Sequence, residues 1–425
     1  MLHFTSLFAL SYNRNQVVVL VILMALFTNF FYFSNWNVTI AGRLWNLTYI
    51  LLILFYFAYY RRKNQSMHFS RIVTFLAFFP FLSSISSYTE FGQSFISSIP
   101  VLLSGATWIV YFLLHKYKVG EASILQSFLI ISLIILFLQV IQQFTYPQAY
   151  FGVYSEEKIS QFTGTMEKVD IRNGLYRFRI AINGFFTCPV LFYLWISVRK
   201  RVNLSNIITI ILLLVSLYLT LTRQVFVSCI ATFVLSFLFG KNRSNISIYV
   251  IGISLASIIY VYSDNLFLAF EELTKEDSHE DNIRILCARF YIEKIVKNPL
   301  VFLIGYGKPA ATGEFAVLFY KWQSIMGFHT VDIGFIGQIF HFGVIYVIAI
   351  YHLLIKLLFF TKGVPPYIRL FIIYTTLMSV MIFPVTAPVT YFIWSILLYI
   401  CDLYINNSPL LLKSSSKIRF LKLTK

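Results

Sequence analysis

The chain has 425 residues, of which 58% are hydrophobic, 19% aromatic and only 12% charged, against about 25% charged residues in soluble domains. A mean hydropathy of +0.76 excludes an ordinary soluble enzyme and a disordered chain. The net charge of +17 does not mark a nucleic-acid binder either. Its basic residues fall in short clusters between apolar runs, as in a multi-pass membrane protein that holds Lys and Arg on the cytoplasmic side. The clusters are Arg61-Arg62-Lys63, Lys116 with Lys118, Arg199-Lys200-Arg201, Lys241 with Arg243, and the tail from Lys413 to Lys425.

Crossing the hydrocarbon core takes about 20 helical residues. Twelve apolar stretches read as spans: 16–33, 44–60, 72–89, 95–114, 124–144, 178–198, 205–222, 225–240, 246–263, 331–352, 367–383 and 389–406. The first has no small-residue cleavage site and runs through Asn35-Trp36-Asn37 into the next, so it reads as a span. The spans are helices, because an open sheet leaves backbone groups unpaired in lipid. With the N-terminus in the cytoplasm, every strongly basic short loop falls on that side, and the segments there carry essentially all of the net +17. The expectation is one all-α polytopic membrane domain over residues 1–425, with about twelve transmembrane helices and both termini cytoplasmic. Outside it lie a first loop over 145–177 and a large loop over 264–330, where chemistry is expected.

In the first loop Arg172, Arg177 and Arg179 crowd the entry to a span, within Arg172-Asn173-Gly174-Leu175-Tyr176-Arg177-Phe178-Arg179. They either snorkel to lipid phosphate or, with Arg223 in Leu221-Thr222-Arg223-Gln224, form a cationic floor. Arginine suits such a floor because its planar fork grips phosphate oxygens two at a time. The large loop opens with an acidic run, Glu271-Glu272 to Asp281, which reads as a solvated segment. Asn282 to Lys297 reads as an amphipathic helix, stopped at Asn298-Pro299. Ile285, Ile292 and Val296 share one face, read as the face that packs down, and Arg289 lies within that stripe. Two readings stay open for it: an ion pair with Glu293 one turn on, or a ligand for phosphate or diphosphate.

Gly305-Tyr306-Gly307 signals a tight turn or a close backbone approach. His329 and Asp332 flank the entry to the next span, where an ionisable group is a functional candidate. Either is a candidate proton acceptor; the alternatives are an interfacial His and a helix cap by Asp332. His341 reads as a helix-packing hydrogen-bond residue. The four cysteines, Cys188, Cys229, Cys287 and Cys401, show neither disulfide nor zinc spacing, and no metal site or cofactor is expected.

Together these stretches resemble the O-antigen polymerases (Wzy-type) and the related O-antigen ligases. The run Arg177…Arg179…Gly184-Phe185-Phe186…Pro189 is similar to the family's outer-loop arginine region, and Thr222-Arg223 to its Ser/Thr-Arg junction. Arg289 through Asn298-Pro299-Leu300 to Gly305-Tyr306-Gly307 resembles its late loop, with Tyr291 near the usual tryptophan. Asp332-Ile333-Gly334-Phe335-Ile336-Gly337…Gly343 is similar to the Asp-x-Gly-Phe segment of polymerases. Where ligases carry His-Asn, this chain has His329-Thr330, which favours the polymerase.

The resemblance implies a metal-independent, inverting membrane glycosyltransferase with a GT-C-like helical bundle, in a bacterial inner (plasma) membrane. Its substrates would be undecaprenyl-diphosphate-linked glycans, polymerised into O-antigen or capsule-type polysaccharide at the periplasmic face. Arg179, Arg223 and Arg289 would bind the diphosphate, with Arg172, Arg177 and Arg284 in reserve. Asp332 or His329 would be the base, and Tyr306, Tyr320 and Trp322 would stack on sugars. Membrane lipid is a partner, nucleic acid is not, and a chain-length regulator is a partner the resemblance leaves open. Two alternatives remain: a ligase transferring polymer to lipid A-core, and a non-enzymatic flippase or transporter.

Overall fold

Proline and glycine cut the apolar stretches into the helices of the computed structural model, which describes residues 12–32, 35–60, 67–145, 171–172, 175–176, 183–220, 222–238, 283–310, 313–379, 383, 385 and 387–420. Helix α1 (Arg14–Phe27) starts at Asn13, whose side chain accepts from the N–H groups of Asn15 and Gln16 at 3.0 and 3.4 Å. Helix α2 (Asn35–Tyr60) follows. The next stretch is split into α3 (Ser70–Phe78) and α4 (Pro80–Phe91), because Pro80 has no N–H for the helical ladder. Helix α5 (Phe95–Leu102), a 3₁₀ segment Leu103–Ile109 and α6 (Val110–Tyr117) lead to α7 (Glu121–Thr145).

A short antiparallel ladder pairs β1 (Ile171–Arg172) with β2 (Leu175–Tyr176), in the register Ile171 to Tyr176. Then come α8 (Asn183–Lys200), α9 (Leu204–Tyr218) and α10 (Arg223–Leu238). The described end of the large loop is helical: α11 (Ile283–Val296), α12 (Pro299–Ile304) and α13 (Glu314–Ser324). Asn298 caps α12 by accepting from Leu300 N–H at 2.9 Å, and Pro299 fills the first helical position. Helix α14 (Gly334–Ile355) runs into a π-helical turn, Lys356–Phe360, and α15 (Pro366–Met378) and α16 (Pro388–Phe420) complete the chain.

Among the described residues six segments are long and apolar enough to cross a membrane: Ile40–Tyr59, Ser70–Phe91, Phe95–Tyr117, Glu121–Thr145, Thr330–Phe360 and Pro388–Asn406. Four shorter apolar helices, Arg14–Phe27, Leu204–Tyr218, Gln224–Ser236 and Pro366–Met378, fall on further expected spans, and α8 falls on another. The shortfall has local causes. After α1 the chain turns at Phe30 and Phe31, both at positive φ, and α9 stops at Tyr218 ahead of a turn at Leu219–Thr220. The expected span 246–263 lies outside the described residues, as do 146–170 and 264–282 of the expected loops.

The main core joins α1–α3, the 3₁₀ segment Leu103–Ile109, α6–α10 and α14–α16, with Trp108 stacked on Tyr391 at 5.8 Å and Phe371 against Trp394 at 5.4 Å. One end of it buries charge. Asp402 on α16 accepts from the Tyr111 hydroxyl and pairs with His115 Nε2 at 3.1 Å. Nearby, Glu121 accepts from Tyr367 and Tyr404 at 2.7 and 2.8 Å. Asp402 is buried and Glu121 half-buried, and donors of this kind offset the cost of holding a carboxylate away from water. A second core lies in the loop helices: Cys287, Tyr291, Ile295, Val301, Tyr306, Phe315, Phe319 and Trp322 close over Ile333 and Phe340.

Candidate functional site

The glycine pair docks the loop helices onto the bundle. Helix α14 is broken at Gly343 (φ 74, ψ 169), which frees carbonyls at the end of its first half. Residues 305–307 lie across that break. Tyr306 N–H donates to the Phe340 carbonyl and Gly307 N–H to the His341 carbonyl, both at 2.7 Å. On the other side Ser86 and Ser87 of α4 donate to the carbonyls of Gly305 and Tyr306. A Cβ on Gly305 would collide with the backbone of His341 and Phe342, and one on Gly343 with that of Leu303 and Ile304. The sequence expectation of a close backbone approach therefore holds.

His341 is buried in this contact, with Nδ1 2.9 Å from the Gly307 carbonyl and Nε2 3.0 Å from Thr330 Oγ1. A carbonyl only accepts, so in the neutral ring Nδ1 carries the proton and Nε2 accepts from Thr330. Its packing role is as expected from the sequence. Gly337 lets α14 pass close to the Thr330 carbonyl, fixing the 3₁₀ turn Thr330–Ile333 over the helix start.

That turn carries His329 and Asp332, both exposed. No side chain caps either the turn or α14, so the capping alternative for Asp332 is not realised. Helix α11 grips the turn from beside it. Cys287 Sγ lies 3.7 Å from the His329 carbonyl, and the Tyr291 hydroxyl donates to the Phe328 carbonyl at 3.1 Å. Burial, aided by the Asp332 carboxylate, pushes the Cys287 thiol up to about 12. Burial likewise raises Tyr291, with a smaller contribution from Cys287.

Helix α11 packs through Cys287, Tyr291 and Ile295, four residues apart. This corrects the expectation that Ile285, Ile292 and Val296 face the core: they are 49%, 43% and 67% exposed. Arg289 sits among them on the outer face, and among the described residues it forms no ion pair with Glu293. Arg284 is exposed one turn before it. An apolar outer face interrupted by arginine is suited to a membrane interface.

Two of the expected sugar-stacking aromatics are packed instead. Tyr306 is buried against Phe91 and Phe340, with centroids at 5.2 and 5.0 Å. Trp322 is buried with Lys294 Nζ 4.7 Å over its ring, so its face is taken. The reason is the loop's second core, which needs large side chains to cover Phe340. Tyr320 is half-buried. Of the other expected cations, Arg177 and Arg179 lie outside the described residues. Arg172 lies in β1, and Arg223 is the first residue of α10. Beside it, Gln224 donates to the Met378 carbonyl at 2.8 Å, which ties the start of α10 to the end of α15. Gly184 permits α8 to meet Tyr374 and Val225 closely. The structure thus packs α11, which bears Arg284 and Arg289, against the turn of His329 and Asp332 through Cys287 and Tyr291, and leaves Arg223 on a separate element.

Sequence reading missed four polar side chains here. Ser86 and Ser87 belong to a run, Ser83-Ser84-Ile85-Ser86-Ser87, that is unusual inside an apolar stretch and was the available signal. Gln93 clamps the chain after the glycine pair, donating to the Lys308 carbonyl at 3.3 Å and accepting from Ala310 N–H at 2.9 Å. Lys308 itself is pushed down to about 8 by burial, with Nζ 5.6 Å over the Phe342 ring. Among the described residues no group of three His, Cys, Asp or Glu side chains is placed to hold a metal.

Composition and the six long apolar helices define an all-α, membrane-embedded protein. Comparison with protein-family models gave no match, and neither did a search of curated proteins.

Proposed function

We propose that the chain is a metal-independent membrane glycosyltransferase that polymerises undecaprenyl-diphosphate-linked repeat units, with twelve spans, cytoplasmic termini and the α11–α13 face outside. One observation supports this reading: α11, whose exposed face carries Arg289, is fastened through its buried Cys287 and Tyr291 to the turn that bears the exposed His329 and Asp332. In this reading α11 offers a cation for a lipid-borne anion, and the turn packed against it offers a carboxylate for a hydroxyl proton.

In this reading the acceptor hydroxyl attacks the anomeric carbon of the donor sugar. The new glycosidic bond forms as the bond to the diphosphate oxygen breaks, and that oxygen leaves with the electron pair. Asp332 takes the hydroxyl proton, and Arg289, with Arg284, balances the charge growing on the diphosphate. His329 is the second candidate for the base. The exposed isoleucines of α11 would meet the polyprenyl chain or the surrounding lipid.

The test is reconstitution of the purified chain in vesicles with one defined undecaprenyl-diphosphate repeat unit. A ladder of products supports the reading. Faithful transfer to a lipid A-core acceptor with no ladder replaces it with the ligase.

A further inference from the structure

Far along the bundle from the glycine contact, at the end that carries Asp402, a cavity of about 690 Å³ opens between the start of α3 and the end of α14. Its location at that end follows from His68 Nε2, which lies 3.2 Å from Asn406 Oδ1, one turn beyond Asp402 on α16. Four basic side chains line it: His68 and Arg71 from the α3 side, His352 and Lys356 from the α14 side. Among the described residues no acidic side chain lines it. The first turn of α3 also forms part of the wall, and no side chain caps it; the positive end of the helix dipole adds to the potential there.

The rest of the wall is apolar. Ile72 and Phe75 line the cavity, and Phe75 lies one turn from Arg71 on the same helix. On the opposite side the chain leaves Lys356 through a π-helical turn that turns Phe359 and Phe360 outward. Such wide turns recur at functional positions. A cationic floor bounded by exposed aromatics is the pattern of a membrane–water boundary. The volume falls within the range of ligand pockets, about 300–1,000 Å³, and exceeds what a lone phosphate fills.

We propose that this cavity binds an anionic glycerophospholipid, with its phosphate held by Arg71 and Lys356 and an acyl chain lying against Ile72 and Phe75. His352 donates a further N–H bond to headgroup oxygens. Basic pockets between helices are known to take anionic headgroups, and the mixed lining selects an amphiphile over a soluble anion. The site is independent of the transferase reading, since none of its residues belongs to the α11 face.

The experiment uses the full chain in detergent, delipidated and then given phosphatidylglycerol, phosphatidylcholine or glycerol 3-phosphate. Native mass spectrometry counts retained lipid, and thermal unfolding reports stabilisation. Phosphatidylglycerol is expected to be retained and to raise the midpoint, and the other two are not. The double variant Arg71→Gln with Lys356→Gln weakens retention by about thirtyfold, from two cationic contacts at an interface. Arg71→Lys with Lys356→Arg keeps it and controls for folding. Equal retention of both lipids, or full retention by the glutamine variant, overturns the proposal. Stabilisation by glycerol 3-phosphate matching that by the lipid overturns the lipid as occupant.

Discussion

Replacing Gly305 by alanine tests whether the glycine pair is what fastens α11–α13 to the bundle. Gly305 has φ 74 and ψ 172, a region that costs a residue with a Cβ about 1–3 kcal/mol. The added methyl also meets the backbone of His341 and Phe342, which has no rotamer to yield. Moving apart breaks the bonds from Tyr306 N–H and Gly307 N–H to α14, worth about 1 kcal/mol each. The sum, about 3–5 kcal/mol, raises the detached fraction by at least about a hundredfold. Cys287 reports that detachment, because it is buried under the His329 carbonyl and its thiol is pushed up to about 12. Maleimide labelling of Cys287, read by peptide mass spectrometry, is slow in the wild type and at least about a hundredfold faster in Gly305→Ala. Gly92→Ala is the control: its φ is 63, but a Cβ there meets nothing within 4 Å, so Cys287 stays slow. Equal labelling of wild type and Gly305→Ala, both folded, refutes the reasoning.

Arg289→Lys keeps the charge and loses the fork, so ladder formation is expected to fall about a hundredfold or more at unchanged expression; full activity of Arg289→Ala removes it from the site. Cysteine placed at Ser278 is expected to react with an impermeant thiol reagent in intact cells whose outer barrier is permeabilised, and reaction only after lysis reverses the orientation. Ladder formation by the reconstituted chain is expected to survive EDTA, and loss that magnesium or manganese restores makes the enzyme metal-dependent. Lys308 is held near 8 when folded, against 10.5 for the free side chain, so the unfolded chain binds more protons between those values and stability rises with pH across them. Lys308→Met is therefore expected to unfold at higher temperature than wild type below pH 8, with the gap closing by pH 10.5; parallel melting curves across that range contradict the shift.

Much of the architecture was readable because lipid enforces it. Apolar runs bounded by Arg199-Lys200 or cut by Pro80 leave the backbone few options, and helices stand there. The close approach at Gly305-Tyr306-Gly307 was readable for the same reason, since only glycine suits it. What the sequence hid was which face of α11 packs. Ile285, Ile292 and Val296 form the more obvious stripe, yet Cys287, Tyr291 and Ile295 are buried. In a soluble protein the apolar stripe goes inward, but a helix at a membrane has two apolar destinations, and periodicity does not tell them apart. Trp322 and Tyr306 misled in the same way: a loop with its own aromatic core consumes rings that sequence alone offers to a ligand. The partners of Asp402 stand on one other helix, Tyr111 and His115 of α6 nearly three hundred residues earlier, and no local spacing announces them.

The serines under the glycine pair also bear on how the chain is made. Ser86 and its carbonyl partner Gly305 are separated by 219 residues. At a ribosomal pace of about 5–20 residues per second, roughly 10 to 40 seconds pass before that partner emerges. Through that interval α4 has two hydroxyls with nothing to fasten. Both have a temporary acceptor in their own helix: Ser86 and Ser87 each reach the Ser83 carbonyl, at 3.1 and 3.3 Å, the back-bond by which serine is accommodated in a helix. Helix α4 is thus able to enter the membrane early and wait, and the segment 305–307 arrives before α14, the element it will bridge, has been synthesised. That order of synthesis allows the segment to dock on the serines first and to receive α14 second.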